Sequence, residues 1–329
     1  MEREDRVTDL TLKVEKIVDE TSAIKVFDLV PANGAALPPF TAGAHVDVAV
    51  TLPDGSRDKR SYSLVNSPAE SGRYQLGVLR DANSTGGSAY MHDGVHAGDE
   101  LSVSEPKNRF SLDDSAPQSL LIAGGIGITP ILCMARVLLL QDREFELHYV
   151  ARSPEDMAFR AEIEALLGDR ACLCFDGGDP TQGLDLEGLL EKRPEGCQLY
   201  VCGPVGLIDA VREKSHEWGW PDAALHYELF KVEDAKATKP KDTAIEVTLA
   251  KSGTSYTVPA GESILEVLLE AKVDADFDCK MGICGLCATK VLEGEPDHRD
   301  HTLSEDEQAE GQMCICISRA KGPRLTLDI

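Results

Sequence analysis

Three cysteines lie within nine positions in the segment DCKMGICGLC, residues 278–287. They are spaced as Cys279-x4-Cys284-x2-Cys287, which is typical of a plant-type [2Fe–2S] loop. Four thiolates must converge on two irons, and Gly282 and Gly285 leave room for the loop to wrap closely around inorganic sulfide. Structural zinc usually uses Cys-x2-Cys pairs, and a chain of 329 residues can build cores without disulfide staples. The spacing therefore predicts an iron–sulfur site rather than a zinc site or a disulfide.

The fourth thiolate has two candidates in the strand-like segment GQMCICIS, residues 311–318. Cys314 and Cys316 alternate with isoleucines, so on a strand both would point to the same side. One of them would bind iron and the other would pack nearby. Spacing alone leaves both open.

The charge of the chain narrows the classes of partner. Its formal net charge is −24, so a nucleic-acid backbone or an anionic membrane would be repelled. A basic protein would be attracted, although such a charge also serves solubility alone. No apolar run approaches the roughly 18 residues of a membrane span, and the charged start MEREDRVTDL lacks the apolar segment of a signal peptide. We therefore expect a cytoplasmic protein that binds neither nucleic acid nor membrane.

Two regions with different patterns of apolar residues precede the cysteine loop. Residues 1–113 show short alternating runs such as TLKVEKIV, AHVDVAVTL and RYQLGVL, separated by turn signals, which predicts an antiparallel β-barrel or sandwich. Residues 114–230 alternate buried-strand patterns such as SLLIAGG with helical patterns such as TPILCMARVLLLQD and MAFRAEIEALL. This alternation predicts an α/β domain with a doubly wound parallel sheet, whose ligands bind at the carboxyl ends of its strands.

A polar segment, KVEDAKATKPKDT at residues 231–243, has the composition of an inter-domain linker. Residues 244–329 then form a third segment. It opens with the hairpin pattern IEVTLAKSGTSYTVPAG and continues with the short helical pattern SILEVLLEAKV before the cysteine loop. Strands and a helix of this kind predict a small α+β domain around the metal loop.

Two glycine turns follow strands of the α/β segment. In LLIAGGIGITP, Gly125 and Gly127 lie between a strand and a helix that has Pro130 in its first turn. Phosphate binds at such a helix N-terminus because its N–H groups are unpaired and its dipole is positive there. The second turn, Cys202–Pro204, ends a later strand, so both turns would face one crevice. The alternative is a pair of ordinary strand-to-helix turns, since Gly-x-Gly-x-x-Pro departs from the usual dinucleotide fingerprint.

Two segments of the predicted barrel also contain residue types that could bind a cofactor. RSYSLVNSP places Arg60, Tyr62 and Ser63 at a strand edge, and STGGS at residues 84–88 is a glycine-rich loop after another strand. A cation, an aromatic ring and a loop of free N–H groups suit a phosphorylated aromatic cofactor. Taken alone, each segment is more often an ordinary barrel strand or loop.

The order of the three segments resembles the phthalate dioxygenase reductase family, within the wider ferredoxin-NADP reductase-like superfamily. GAHVDV and RSYSLVNSP resemble its flavin-barrel strands, GGIGITP and CGP its nicotinamide-binding turns, and CKMGICGLC, DHRDHTLSEDE and CISRAKG its ferredoxin domain. The resemblance covers essentially the whole chain. It implies a flavin-binding β-barrel domain at 1–113, an NAD-binding α/β domain at 114–230, a linker at 231–243 and a β-grasp-like ferredoxin domain at 244–329.

The resemblance also implies roles for single residues. Ser63 would lie near the reactive N5 of the flavin, Thr129 and Cys202 near the nicotinamide, and Phe230, in HYELF, would shield the flavin ring. The implied flavin contacts are Arg60, Tyr62, Ser63, Gly86, Gly87 and Ser88, and the implied NADH path is bordered by Gly125, Gly127, Thr129, Cys202, Gly203 and Pro204.

The family tail reads Cys-x-Ser-Arg, and CISR fits it. The resemblance therefore selects Cys316, and the implied iron ligands are Cys279, Cys284, Cys287 and Cys316. Family members often carry Arg just before Gly-Gly-Ser, where this chain has Thr85. The missing phosphate contact leaves FMN and FAD both open, and the position of the ferredoxin domain after the nucleotide domain favours FMN.

These cofactors imply an electron-transfer reaction. NADH gives two electrons as hydride, a [2Fe–2S] cluster accepts one at a time, and a flavin can do both. Hydride transfer depends mainly on placing nicotinamide C4 near flavin N5, so no acid–base catalytic residue is expected. The lone histidines are accordingly interpreted as structural: His45, His92, His148 and His226.

The family implies a reductase that feeds a separate Rieske-type oxygenase, which would hydroxylate or demethylate an aromatic or similar small substrate. One alternative keeps the cofactors and changes the acceptor to a cytochrome or another monooxygenase. Another makes the C-terminal segment a zinc-bound interaction module on a flavoprotein. NADPH stays open beside NADH, because Arg152 and Ser153 could serve a 2′-phosphate.

Overall fold

The computed structural model describes residues 9–81, 84–191, 194–230, 242–277, 280–283, 285–300 and 302–329. The chain separates into two compact units, residues 1–230 and residues 231–329. Most of the predicted linker, residues 231–241, lies outside the described residues.

An antiparallel, nearly closed barrel occupies the first part of the chain. Within residues 9–108, leaving out 82 and 83, the strand order is β4-β3-β6-β1-β2-β5, with β7 paired to β3. Every strand pairing described there is antiparallel, which confirms the sequence prediction. The elements are β1 (Leu10–Asp19), β2 (Ile24–Pro31), β3 (Ala44–Thr51), β4 (Arg57–Ser63), β5 (Tyr74–Leu79), α1 (Gly87–Ala89), β6 (Glu100–Val103) and β7 (Lys107–Asn108).

The alternating pattern of β1 shows why these segments form barrel strands. Leu12 and Val14 are buried, whereas Lys13 and Glu15 between and beside them are exposed. Successive side chains on a strand point to opposite faces, so Leu12 and Val14 both enter the barrel core. Fully burying one such side chain stabilises the fold by about 1.5–3 kcal/mol.

A parallel sheet follows, as the alternation of strand and helix patterns predicts. In the described part of residues 114–230 its order is β10-β9-β8-β11-β12, and each pairing is parallel. Because the chain order reverses between β8 and β11, their carboxyl ends border a crevice. The elements are β8 (Gln118–Gly124), α2 (Ile128–Leu140), β9 (Glu144–Ala151), α3 (Arg160–Leu167), β10 (Ala171–Phe175), α4 (Leu186–Glu191), β11 (Gln198–Cys202), α5 (Val205–Glu217) and β12 (Leu225–Glu228).

Helix α3 begins later than its sequence pattern predicts. The helical pattern starts at Met157, but the helix starts at Arg160 because Phe159 adopts a left-handed backbone, with φ 60°. The N–H of Phe159 donates to Glu20 Oε1 of the barrel at 2.7 Å. A contact distant in sequence thus decides where this helix begins.

The barrel and the parallel sheet share one hydrophobic core. Ile24, Val26 and Val65 from the barrel side pack in the same buried cluster as Leu121 and Ile131 from the α/β side. The two predicted segments therefore form one packed unit, and the boundary at residue 113 stays a prediction from sequence texture.

The second unit is a small α+β domain of the β-grasp type. As far as the structure describes residues 242–329, the sheet order is β14-β13-β19-β15-β17, with β16 and β18 as a separate pair. The predicted hairpin is present as the antiparallel pair β13–β14, and β13 also pairs in parallel with β19. The elements are β13 (Ile245–Leu249), β14 (Ser255–Val258), α6 (Ile264–Glu270), β15 (Ala288–Glu293), β16 (Pro296–Asp297), α7 (Glu305–Ala309), β17 (Gln312–Cys314), β18 (Arg319–Ala320) and β19 (Arg324–Leu327).

A buried arginine ties the tail of this domain to its beginning. Arg319 is only 3% exposed, and its guanidinium donates to the backbone carbonyls of Thr243, Pro259 and Glu262. It also lies 3.9 Å from a carboxylate oxygen of Asp242. A buried charge is tolerated only when it is paired and hydrogen-bonded, so these partners explain how Arg319 can sit inside the domain.

Within the residues that the structure describes, none of the helices combines the length and the apolar character needed to cross a bilayer.

Candidate redox sites

Arg60, in the middle of strand β4, is in contact with the glycine-rich loop. The guanidinium donates to Thr85 Oγ1 at 2.6 Å and to Asp58 Oδ2 at 2.5 Å. A Cβ on Gly87 would lie 2.6 Å from Arg60 Nε, and Gly86 has a left-handed backbone with φ 109°. The loop therefore approaches the cation more closely than a side chain would allow, which suits a phosphate held by N–H groups and a guanidinium.

Tyr62 and Ser63 follow on the same strand, and Ser88 is buried in the loop. Burial raises the pKa of Tyr62 to about 12, so the phenol keeps its proton at neutral pH. Ser63 is 4% exposed, and its hydroxyl lies 3.5 Å from Glu228 Oε2 on β12. The serine predicted to lie near the flavin thus faces a carboxyl group from the α/β side.

The two glycine turns touch through their main chains. A Cβ on Gly127 would lie 2.2 Å from the carbonyl oxygen of Cys202 and 2.6 Å from the nitrogen of Gly203. A Cβ on Gly203 would in turn lie 3.0 Å from Gly124. Strands β8 and β11 are neighbours, and Pro204 precedes helix α5, so both turns stand at the same crevice of the sheet. The sequence predicted this juxtaposition from the positions of the turns.

Thr129 joins the first glycine turn to the barrel. Its side chain is 1% exposed, and its hydroxyl donates to the carbonyl of Ile126 at 3.0 Å. Its methyl group fills the space beside Gly77 on β5, where a Cβ would lie 2.7 Å from Thr129 Cγ2. This contact fixes the start of α2, with Pro130 in its first turn, against the barrel.

Glu228 is a site residue that the sequence reasoning did not single out. It ends β12 and is paired in register with Cys202 on β11, so both side chains point to the same face. Burial of the carboxyl raises the pKa of Glu228 to about 8, while the residue as a whole is half-buried. Burial, and then the nearby Glu228 carboxyl, raise the pKa of the Cys202 thiol well above its ordinary value. The signal was an acidic residue at the carboxyl end of the last strand, in HYELF.

The structure gives contacts for three of the other residues discussed from the sequence. Phe230 packs against the core that the barrel and the sheet share. His92 Nε2 lies 2.9 Å from the carbonyl oxygen of Val78, and the ring of His226 stacks on Tyr200 at 4.6 Å between centroids. These two histidines make structural contacts.

Three cysteines come together in the second unit. Cys287, Cys314 and Cys316 are buried, and the thiol of Cys287 hydrogen-bonds with those of Cys314 and Cys316. These hydrogen bonds lower the pKa of Cys287, which favours the thiolate that a metal requires. The other two predicted ligands, Cys279 and Cys284, lie outside the described residues.

The predicted strand through both tail cysteines was wrong in its extent. Strand β17 ends at Cys314, and the N–H groups of Ile317 and Ser318 both donate to the Cys314 carbonyl. A tight turn, rather than strand alternation, therefore brings Cys316 beside Cys287.

Glycine is required where the cysteine loop meets this turn. Gly282 has φ 70°, and a Cβ there would lie 2.5 Å from Ile317 Cγ2 and 3.2 Å from Asp300 Cα. Gly285 also has a left-handed backbone, with φ 71°. The loop can therefore close on the tail, as the wrapping of thiolates around a cluster demands.

Comparison with known proteins gives the family of the chain. Residues 247–321 match the family described as 2Fe-2S iron-sulfur cluster binding domain, and residues 104–225 match the dimethylamine monooxygenase subunit DmmA-like, N-terminal domain. Phthalate dioxygenase reductase of Burkholderia cepacia is 42% identical over 97% of each chain. The chain belongs to the phthalate dioxygenase reductase family. It is an electron-transfer oxidoreductase with a [2Fe–2S] domain, and the family fold carries a flavin and NAD(H) as its other cofactors.

A second relative and a solved structure support the same family. Vanillate O-demethylase oxidoreductase of Pseudomonas sp. (strain HR199 / DSM 7063) is 43% identical over 92% of this chain and 94% of its own length. A solved phthalate dioxygenase reductase, described as a modular structure for electron transfer from pyridine nucleotides to [2Fe–2S], superposes with a TM-score of 0.72, 41% identity and 98% coverage of each chain. The predicted family, fold class and oxidoreductase activity are thereby confirmed.

Proposed function

We propose that this protein is the reductase component of a Rieske-type oxygenase system, which passes electrons from NADH through FMN and a [2Fe–2S] cluster to the oxygenase. The observation that carries the proposal is full-length similarity to reductases of a phthalate dioxygenase and a vanillate O-demethylase. The oxygenase partner would hydroxylate or demethylate an aromatic or similar small substrate.

The contact between Arg60 and the glycine-rich loop supports FMN as the flavin. When bound, a flavin accepts a hydride and releases electrons one at a time. The Arg60 guanidinium and the N–H groups of Gly86, Gly87 and Ser88 would hold a terminal phosphate, which FMN presents. Thr85 does not supply the cation of its relatives, but its hydroxyl accepts from Arg60 and so keeps that guanidinium beside the loop.

The crevice supports positioning of a nicotinamide between the glycine turns and the barrel. Ser63 and Cys202 each lie beside Glu228, whose carboxyl, with a pKa of about 8, keeps its proton at pH 7. A neutral Glu228 can donate a hydrogen bond from its carboxyl oxygen and adds no negative charge where hydride must arrive. Cys202, also protonated, adds bulk without charge. These residues orient the reactants and exclude water, which is the main demand of hydride transfer.

The carboxyl end of β9 supports NADH over NADPH. The hydroxyl of Ser153 donates to Asp156 Oδ2 at 2.8 Å, so it is already engaged with a carboxylate. That carboxylate would repel the 2′-phosphate of NADPH.

The test is an anaerobic titration of the purified holoprotein with NADH, followed by visible absorbance. We expect bleaching of both flavin and iron–sulfur bands, faster with NADH than with NADPH, FMN as the extracted flavin, and two irons per chain on metal analysis. A Rieske-type oxygenase added after the titration should reoxidise the reduced protein. Zinc in place of iron, or an absorbance that NADH leaves unchanged, would refute the proposal.

A further inference from the structure

Large apolar side chains are exposed on the loop that carries the cluster cysteines. Phe277, Met281 and Leu286 are 38%, 40% and 43% exposed, and they flank or separate the cysteines of that loop. We refer to these three residues as the apolar rim. Isolated exposed apolar residues are common, but a group of them around one functional loop is typical of a protein–protein contact.

Charged groups border the apolar rim. Leu286 lines a polar recess of about 350 Å³ that carries three aspartates and two lysines: Asp274, Asp276, Asp328, Lys251 and Lys290. The ammonium of Lys280 lies 4.9 Å from the centre of the Phe277 ring, so one edge of the rim carries a cation. Residues 242–329 contain 17 acidic against eight basic residues, so the surroundings are acidic as a whole. An apolar centre with a charged edge is the usual anatomy of a transient protein interface.

We propose that the apolar rim and the aspartates beside it form the surface through which electrons leave the protein, and that the oxygenase component covers it with a face that is apolar at its centre and lined by Lys and Arg. This inference rests on the proposed function. Electron transfer weakens steeply with distance, so an acceptor has to dock over the cluster loop. Each encounter moves one electron, which oxidises the cluster and reduces one metal centre of the partner.

The charge distribution favours an external basic partner over the rest of the same chain. Residues 1–241 are themselves acidic, with 40 acidic against 25 basic residues, so they offer no opposite charge overall. Opposite charge on a partner would speed association at low salt and orient it, while the apolar rim would supply contact area.

The experiment compares two electron acceptors of the holoprotein and one internal readout. Cytochrome c, a basic haem protein, is the protein probe, ferricyanide is the small probe, and single-turnover bleaching by NADH reports electron flow inside the molecule. The substitutions are Phe277→Ala, Met281→Ala and Leu286→Ala. The matched control is Leu292→Ala, since Leu292 is 48% exposed in the same domain but lies on β15, away from the loop.

We expect each rim substitution to lower kcat/KM for cytochrome c about fivefold, as for truncation of a central interface residue. In the rim variants, the rates of ferricyanide reduction and of bleaching by NADH should equal those of the wild type. The Leu292→Ala variant should reduce cytochrome c at the wild-type rate. Met281→Leu, which keeps an apolar side chain, should retain the wild-type rate. Asp276→Asn should flatten the salt dependence of cytochrome c reduction.

Three results would overturn the inference. Unchanged cytochrome c kinetics would remove the role of the rim, and an equal fall in Leu292→Ala would show a diffuse surface effect. Slower bleaching by NADH in the rim variants would show that the rim serves the flavin-bearing part of the chain instead. Failure of the proposed function is a separate result, because the wild-type cluster itself would then not bleach with NADH.

Discussion

Replacing Gly127 by alanine tests the contact between the two glycine turns. Its backbone has φ −60°, which alanine adopts without strain, so any effect must come from the added methyl group. That Cβ would lie 2.2 Å from the carbonyl oxygen of Cys202, whereas ordinary contacts begin at 3.4 Å. The end of β11 would therefore have to move by roughly 1 Å, and overpacking of this kind costs about 1–3 kcal/mol. We expect the upper end of that range, because the obstacle is main chain rather than a flexible side chain.

Thermal unfolding and NADH kinetics measure the two consequences. A loss of about 3 kcal/mol should lower the Tm by roughly 6–12 °C for a unit of this size. The displaced Cys202 should also raise the KM for NADH, since it borders the crevice. Gly206→Ala is the matched control: no described heavy atom lies within 4 Å of a Cβ there, and Gly206 is in helix α5. Alanine at that position should raise stability by up to about 1 kcal/mol.

The reasoning is refuted if Gly127→Ala has the Tm of the wild type and the same KM for NADH. A fall in Tm with both Gly127→Ala and Gly206→Ala would also contradict it, because only the first Cβ meets the main chain of β11.

Three further predictions concern the other sites. Gly87→Ala would place a methyl group 2.6 Å from Arg60 Nε, so we expect flavin retention to fall about tenfold. The Tm should change little, because the arginine side chain can move. A full flavin content by absorbance would contradict this prediction. The pKa of Glu228 is about 8, so its carboxyl is neutral below that pH and ionised above it. The rate of flavin reduction in stopped flow should therefore fall as pH rises through about 8, and Glu228→Gln should give a flat profile; identical profiles would rule out the role of this proton. Cys316→Ser should abolish the iron–sulfur absorbance whereas Cys314→Ser should retain it, and equal losses would mean that the ligand choice is wrong.

The architecture was predictable because each part of the chain has a distinct period of apolar residues. The alternation of apolar and polar residues in β1, with Leu12 and Val14 inside, is a local signal that predicts a half-buried strand. Strand-to-helix turns and the cysteine spacing are likewise local signals, so the position of Gly127 and the grouping of Cys287 with the tail could be anticipated.

What the sequence could not predict depends on contacts between distant segments. Phe159 delays helix α3 because its N–H bonds to Glu20 in the barrel. The tail turns at Cys314 because its carbonyl accepts two N–H groups, a competition that strand alternation does not reveal. Glu228 became a site residue only when the fold placed it opposite Ser63 and beside Cys202.

The anchoring of Arg319 has a consequence for how the protein acquires and recovers its iron. The guanidinium is held by backbone carbonyls and Asp242, all of them protein groups, so the position of the tail is set without any metal. A chain stripped of iron by oxygen would then keep its last cysteines in place. We therefore expect ferrous ions and sulfide to restore the iron–sulfur absorbance of such a chain without prior unfolding, so that repair would not require resynthesis.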